Sequence, residues 1–220
     1  MFESVPDIVR YVVQGFGVTT SIFLAAAAFS YVMAFVAGLC RLSNITIIRG
    51  ITAVYVEFFR GTSLIVQLFW LQYAIPMLLG INIASAWWIG VIAIGLNYGA
   101  YLSEVVRTSV ISVDKGQTEA STALNMTRFQ RMRLVILPQA LRLMLPEFGN
   151  YSIQILKGTS LVSLIGVTDI LYFGDVYRSS NLSEGAMVYF ILLIIYFIIA
   201  LPLIYLSKKG EKIAKKGAAT

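Results

Sequence analysis

"EASTALNMTRFQRMRLVILPQALR", residues 119–142, carries four arginines and one glutamate in a chain whose other long stretches are almost entirely apolar. Asp114 to Ala123 contains good helix formers behind an acidic first residue, which suits a helix N-terminus. Asn125 follows the last apolar residue of that run, and asparagine is second to glycine at a left-handed C-cap. The run from Thr127 to Gln130 fits the capping box that starts a helix. The sequence therefore predicts a helix, a sharp turn and a second helix, or alternatively a solvated basic loop that touches lipid headgroups.

The composition is typical of a membrane protein. The chain has 220 residues, of which 58% are hydrophobic and only 13% charged, whereas about a quarter of a soluble domain is charged. The net charge of +6 indicates membrane orientation rather than nucleic-acid binding, so no nucleic-acid partner is expected. With one cysteine and no histidine, the sequence predicts no disulfide framework, no metal site and no catalytic residues.

Long uncharged runs predict five membrane-spanning helices, since about 20 apolar residues cross a bilayer. One run is long enough for parts of two spans, with Pro76, Gly80 and Asn82 as breakers between them. We expect one all-α integral membrane domain over 1–220, with a polar loop at about 114–137 between the third and fourth helices. The predicted spans are 14–39, 51–74, 85–106, 139–157 and 185–207.

The distribution of lysine and arginine predicts the orientation of these spans. With five spans, the basic connections all fall on one side, together with a C-terminal tail that carries five lysines. The connection after the second span has no basic residue. We therefore expect the N-terminus outside and the C-terminus and the polar loop in the cytoplasm. A count of four or six spans would break this agreement.

The fourth predicted span carries a polar stripe. Glu147, Asn150, Tyr151, Gln154 and Lys157 fall on one helical face, which lipid would not tolerate. The stripe faces either a substrate pathway or a polar seam between two chains, where side chains hydrogen-bond across helices.

The third predicted span places Asn97 and Tyr98 near mid-span, as the fourth does Asn150 and Tyr151. These side chains supply donors for a carboxylate and acceptors for an ammonium without fixed charge. The candidate pathway residues are Asn97, Tyr98, Tyr101, Glu147, Asn150, Tyr151, Gln154 and Ser160.

Two carboxylates within the spans have separate interpretations. Glu147 could attract a cationic amino acid, bond to a partner helix or pair with Arg142. Glu57 and Arg60 are three apart on the second span, which predicts a structural ion pair.

Glu119-Ala120-Ser121, followed by Asn125 and then by Ile136 and Pro138, resembles the EAA-x3-G-x9-I-x-LP loop of ABC importer permeases. Ser121 stands where that loop has its second alanine. Asn125 stands where it has glycine, whose backbone conformation asparagine tolerates.

Three stretches are similar to one branch of that family, the polar amino acid permeases of the histidine, glutamine and arginine type. The branch commonly has proline where Ser63 and Glu147 stand, and an acidic residue where Gly158 stands. The similar stretches are "VEFFRGTSLIVQLFW" (56–70), "LPQALRLMLPEFGN" (137–150) and "LKGTSLVSLIGV" (156–167).

The resemblance implies a type I ABC importer permease fold, with five helices and a cytoplasmic coupling helix between the third and fourth, in a bacterial cytoplasmic membrane. Implied partners are the lipid bilayer, a second permease chain (identical or paralogous), two ABC ATPases and an extracytoplasmic substrate-binding protein. Because the chain has no G-x4-G-K-[ST] motif, ATP and magnesium are expected on the ATPase, with no cofactor here. The expected ATPase-docking residues are Glu119, Ala120, Ala123, Leu124, Asn125 and Phe129, although Phe129 could instead pack against the permease itself.

The sequence thus predicts a non-enzymatic permease subunit of an ATP-driven importer for a polar amino acid or related small zwitterion. An ABC permease for a different small solute is one alternative. A secondary transporter or channel is another, but it would need an ion-coupling site or an inverted repeat, and we find no internal repeat.

Overall fold

The structure is a computed structural model that describes residues 5–80 and 85–218. Within these ranges all regular structure is helical, in agreement with the predicted all-α class. Of the three expected breakers, Gly80 ends a helix in the left-handed conformation (φ 63°) and Pro76 lies in the first turn of that helix. Asn82 lies outside the described residues. The α-helices are α1 (Val5–Val12), α2 (Phe16–Cys40), α3 (Thr46–Gly61), α4 (Leu64–Phe69), α5 (Ile75–Leu79), α6 (Ala86–Ile111), α7 (Lys115–Ala123), α8 (Arg128–Arg131), α9 (Leu137–Thr159), α10 (Ile170–Ser180) and α11 (Gly185–Ala218).

Three helical segments of the described chain are long and apolar enough to cross a membrane: Val5–Cys40, Ala86–Ile111 and Leu182–Lys212. Two further pairs of helices qualify only together, because each pair bends sharply between its members. Counting each bent pair as one span brings the number of spans to five, the number predicted.

Helices α2 and α6 pack closely at the centre of the bundle. A Cβ atom added to Gly99 would lie 2.7 Å from the Cβ of Met33, and one added to Gly38 would lie 2.8 Å from the carbonyl oxygen of Ser103. Small residues permit this approach, and van der Waals packing of such interfaces drives helix association in lipid. The main apolar core lies along this pair and α9.

The predicted second span is not one helix. The chain bends by 106° between helix α3 and the segment formed by α4 and α5. Thr62, between them, has an extended backbone (φ −117°, ψ 152°). Extended backbone there leaves carbonyl groups of α3 without helical partners. Gln67 Nε2 donates to Phe59 O at 3.1 Å, and Asn97 Nδ2 donates to the same oxygen at 2.9 Å. The prediction of an uninterrupted span over 51–74 is therefore wrong, because two buried amides stabilise a break that apolar composition does not reveal. We call residues 62–63 the elbow.

The fourth span lies within a helical run from Arg128 to Ile165 that includes α9. A π-helical turn over Met132–Ile136 precedes Pro138. Proline lacks a backbone N–H and crowds the preceding turn, and the wider π turn accommodates it without ending the run.

A second apolar core joins α1, α10 and the first half of α11, through Ile8, Val12, Ile170, Val188, Ile191 and Leu192. Asp169 is fully buried beside this core. It caps α10 by accepting from Tyr172 N at 2.8 Å, and Tyr196 donates its hydroxyl to the other carboxylate oxygen at 3.2 Å. Gly15 allows α2 to approach this junction, since a Cβ there would lie 2.3 Å from the carbonyl carbon of Asp169.

The polar loop (residues 114–137) adopts the predicted helix, turn and second helix. Asn125 has a left-handed backbone (φ 55°). Thr127 and Gln130 form a reciprocal capping box, with Thr127 N donating to Gln130 Oε1 at 2.9 Å and Gln130 N donating to Thr127 Oγ1 at 3.3 Å. The predicted caps are confirmed, and local hydrogen bonds give the segment a defined helix–turn–helix structure.

Candidate functional site

The polar stripe of α9 lines a cavity of about 460 Å³, which we call the α9 cavity. This volume is within the range of small-molecule sites, roughly 300–1,000 Å³. The predicted polar face of α9 therefore borders open space, although Asn150 and Tyr151 also contact α11 and α6 respectively. The cavity is lined by Glu147, Asn150, Tyr151, Ile153, Gln154 and Lys157.

A neighbouring cavity of about 390 Å³ lies between α6, α9 and the elbow, and we call it the tyrosine cavity. It shares Tyr151 and Gln154 with the α9 cavity. Its lining carries hydroxyl and amide groups and no charged side chain. The lining residues are Thr62, Ser63, Leu64, Asn97, Tyr98, Tyr101, Tyr151 and Gln154.

Seven of the eight predicted pathway residues line one or both of these cavities. The eighth, Ser160, donates its hydroxyl to Lys157 O at 2.8 Å and lines neither. The elbow residues Thr62 and Ser63 were not predicted, because their place in the lining depends on the break in the second span.

Two of the predicted residues are held by other side chains. The buried Asn97 donates to Phe59 O and to Gln67 Oε1, at 2.9 and 3.2 Å, so its amide positions the elbow beside the cavity. Asn150 Oδ1 accepts from Ser207 Oγ at 3.3 Å, which joins α9 to α11.

Three tyrosines form the wall between α6 and α9. The ring centroids of Tyr101 and Tyr151 are 6.1 Å apart and those of Tyr98 and Tyr151 6.5 Å apart, the spacing of favourable aromatic pairs. A Cβ added to Gly158 would lie 3.0 Å from the Tyr98 ring. An acidic side chain at position 158, as in the branch that this chain resembles, would therefore displace Tyr98.

The predicted ion pair between Glu57 and Arg60 is absent from the described residues, although both side chains are described and exposed. The Arg60 guanidinium instead lies 5.5 Å from the centroid of the Tyr101 ring, and the Tyr101 hydroxyl donates to Arg60 O at 3.1 Å. An exposed ion pair contributes little free energy, whereas a guanidinium over a tyrosine face contributes about 0.5–1 kcal/mol even when exposed.

The alternative pairing of Glu147 with Arg142 also does not occur within the described chain. Residues five apart on a helix point in different directions, because only i+3 and i+4 neighbours share a face. Glu147 therefore remains a carboxylate on the α9 cavity.

The sequence did not predict one cluster of charged side chains. Glu104 accepts hydrogen bonds from Arg107, one turn along α6, and from Arg41, at the end of α2. The i, i+3 spacing is a signal for the first contact. The second joins residues 63 positions apart, and no local pattern indicates it.

The predicted docking residues of the polar loop are all exposed in this chain. Leu124 is 72% and Phe129 71% exposed, so the alternative that Phe129 packs against its own chain is wrong. The neighbouring Ser121 is buried, which places the exposed residues on an outward face of the loop. The exposed set is Glu119, Ala120, Ala123, Leu124, Asn125 and Phe129.

Metal chemistry has no evident place in the described chain. Across residues 5–80 and 85–218, no group of three or more His, Cys, Asp or Glu side chains could hold a metal ion. The cavities therefore offer hydroxyls, amides and a few fixed charges as their recognition chemistry.

A family model described as "Binding-protein-dependent transport system inner membrane component" matches residues 30–208. The chain is 40% identical over 202 residues to the probable amino-acid ABC transporter permease protein y4tF of Sinorhizobium fredii (strain NBRC 101917 / NGR234), covering 90% of this chain and 84% of that protein. It is 36% identical over 185 residues to the probable amino-acid ABC transporter permease protein PatM of Vibrio harveyi, covering 82% and 80% respectively. A solved structure described as "Crystal structure of an amino acid ABC transporter with histidines" superposes with a TM-score of 0.86, at 32% identity and 98% coverage of each chain. The chain therefore belongs to the family of binding-protein-dependent transport system inner membrane components, the non-enzymatic permease subunits of ABC transporters.

Proposed function

We propose that this chain is the permease subunit of an ATP-driven importer that moves a polar amino acid or related small zwitterion across the bacterial inner membrane. The observation that carries the proposal is the pair of adjoining polar cavities that border α9, whose polar face is open at the surface of this chain. The similar proteins y4tF and PatM are named as probable amino-acid ABC transporter permeases, and the similar solved structure is of an amino acid ABC transporter, which supports the same substrate class.

The cavity chemistry suits a molecule that is charged at both ends but small. Polar groups at membrane depth are costly unless they face a partner or water. Tyrosine hydroxyls and the Gln154 amide can both donate and accept hydrogen bonds, so they serve a carboxylate and an ammonium. Glu147 and Lys157 add one charge of each sign to the α9 cavity.

The polar loop supplies the contact to the ATPase. Leu124 and Phe129 present apolar surface for a groove on an ATPase, and Glu119 can pair with a basic residue there. The capped turn around Asn125 makes the loop a rigid unit, so that a displacement of the docked helix would reach α6 and α9. Only contacts that differ between the two conformations of the complex can drive such a change.

The proposed assembly places ATP and magnesium on two partner ATPases, with no cofactor on this chain. It includes a second permease chain, identical or paralogous, and an extracytoplasmic binding protein that delivers the substrate. The N-terminus lies outside and the C-terminus in the cytoplasm, which brings the polar loop and the lysine-rich end of α11 to the side of the ATPase.

The test is reconstitution of the permease with its ATPase in proteoliposomes that contain ATP. The cognate binding protein and a panel of radiolabelled amino acids are added outside. We expect uptake of one or a few polar amino acids that depends on both ATP and the binding protein. Uptake that persists without ATP, or ATP-dependent uptake of other solutes only, would overturn the proposal.

A further inference from the structure

Three arginines lie near Glu104, and one of them has no carboxylate partner in the described chain. Arg41 and Arg107 both donate to Glu104. Arg60, on α3, also lies within electrostatic range of Glu104 but forms no ion pair in the described chain. Glu57, one turn earlier on α3, does not bond to it.

The four side chains carry a surplus of positive charge, with three guanidinium groups for one carboxylate. A charged group at membrane depth normally faces a partner. Because Glu104 is occupied by the other two arginines, the surplus falls on Arg60. Arg60 therefore has no carboxylate in ion-pair contact within the described chain, although Glu147 acts on the neighbouring Tyr151 from α9.

Arg60 also lies against the cavity wall. Its guanidinium is 5.5 Å from the Tyr101 ring centroid, and that ring is 6.1 Å from the ring of Tyr151. Both tyrosines line the tyrosine cavity. The lining of the tyrosine cavity has no charged residue, and two fixed charges of opposite sign act on its wall at Tyr151: Glu147 of α9 and Arg60 of α3.

We infer that Arg60 receives the α-carboxylate of the transported amino acid when the substrate occupies the tyrosine cavity. A guanidinium offers two parallel N–H donors that match the two oxygens of a carboxylate. The Arg60 guanidinium lies over the ring of Tyr101, which lines the cavity, and the Tyr101 hydroxyl donates to the backbone carbonyl of Arg60. This inference rests on the proposed function and names the residue that selects its substrate class.

The Arg60 guanidinium and the ligand carboxylate should contribute to binding only when both are present. Removing the carboxylate from the ligand and removing the guanidinium from the protein should delete the same interaction. The two changes should therefore be non-additive, as in a double-mutant cycle. A merely structural role for Arg60 would leave the ligand preference intact.

The experiment uses the complete permease–ATPase complex in lipid nanodiscs, without the binding protein. The twenty L-amino acids are screened for thermal stabilisation, and the best stabiliser is compared with its own α-amide, which keeps the ammonium and lacks the carboxylate. We expect the wild-type complex to prefer the amino acid by roughly 10- to 100-fold, the range of a hydrogen bond to a charged group.

Arg60→Gln should reduce that preference to within about threefold by weakening binding of the amino acid alone. Arg60→Lys keeps the positive charge but loses the two parallel N–H donors of the guanidinium, so it should give an intermediate preference. It replaces the glutamine variant in the test if that variant does not fold. Arg49→Gln removes a positive charge from the same helix, far from the cavity, and should keep the full preference.

Three results would overturn the inference: an undiminished preference in Arg60→Gln and Arg60→Lys, equal binding of acid and amide by the wild type, or no stabilisation by any amino acid. ATP-driven uptake by the wild-type system would still stand in each case. Failure of the inference is therefore distinguishable from failure of the proposed function.

Discussion

The polar loop and the tyrosine cavity depart from their surroundings in opposite ways. The loop is polar overall but exposes two large apolar side chains, Leu124 and Phe129. The cavity lies in an apolar bundle but presents hydroxyls and amides. Exposed apolar groups on a polar segment indicate a protein partner, and enclosed polar groups in a membrane helix indicate a polar ligand. In the proposed function, the loop docks on the ATPase and the cavity binds the solute.

The regions also differ in how they are held. The loop is stabilised by hydrogen bonds between residues a few positions apart, such as Thr127 and Gln130. The cavity depends on bonds across long separations, such as Asn97 to Phe59 and Tyr101 to Arg60. Substitutions in the loop should therefore affect coupling without unfolding the chain, whereas substitutions in the cavity should affect both binding and stability.

The largest effect is expected from Glu119→Lys. Reversing a charge that pairs with a basic ATPase residue costs about 2–5 kcal/mol, so transport should fall by at least about 30-fold while membrane insertion and amino-acid binding persist. ATP-driven uptake and substrate-stimulated ATP hydrolysis measure the loss. Glu211→Lys reverses a charge near the end of α11 and should leave uptake within twofold. Normal transport by the Glu119 variant would contradict its docking role.

Phe129→Ser should weaken binding of the ATPase by roughly 10- to 100-fold, because burying such a side chain contributes about 1.5–3 kcal/mol. The isolated permease should keep its melting temperature, since this side chain is largely exposed before docking. Affinity is measured with immobilised permease and soluble ATPase. Leu182→Ser removes an equally exposed apolar side chain near the start of α11 and is expected to change nothing. A drop in melting temperature for the Phe129 variant would mean that this ring packs within the chain.

Asn97→Leu should destabilise the permease by about 1–3 kcal/mol, the cost of leaving buried polar groups unsatisfied. The leucine cannot donate to Phe59 O or to Gln67 Oε1, so the elbow loses one of the two amide side chains that stabilise it. Thermal unfolding in detergent measures the change, with amino-acid binding as a second readout. Asn181→Leu deletes an exposed amide bond to Tyr177 O and should cost less than about 0.5 kcal/mol. Equal stability of the two variants would show that the elbow does not depend on Asn97.

The smallest effect is expected from Asn125→Gly, which should change stability by less than about 0.5 kcal/mol and leave transport within twofold. Glycine adopts the left-handed conformation of this turn without strain. Asn125→Val is the contrasting variant, because a β-branched residue is strained there. It should misplace α7 relative to α8 and reduce coupling, as read by transport per ATP hydrolysed. Full coupling in the valine variant would show that the turn geometry is unimportant.

Local patterns were sufficient for most of the loop and for part of the cavity. The caps at Asn125 and Thr127 follow from hydrogen bonds that neighbouring residues make with each other, so they could be predicted one segment at a time. The polar face of α9 follows from helical spacing, and Glu147, Tyr151 and Gln154 do share one cavity.

Prediction failed where a partner lies far away in the chain. The spacing of Glu57 and Arg60 favours an ion pair, but Tyr101 of another helix offers Arg60 an alternative contact. The elbow was missed because residues 61–103 are uncharged throughout. Nothing in that run shows that Asn97 would satisfy the carbonyl group of a broken helix.

The sequence by itself determined the membrane class, the helical content and the capped polar loop, because these depend on composition and on contacts within a few residues. Tertiary structure alone decided where the second span breaks, which tyrosines meet and which of the three arginines near Glu104 forms no ion pair with it. Those outcomes are set by competition among polar groups for partners inside an apolar bundle, and that competition exists only once the helices have packed.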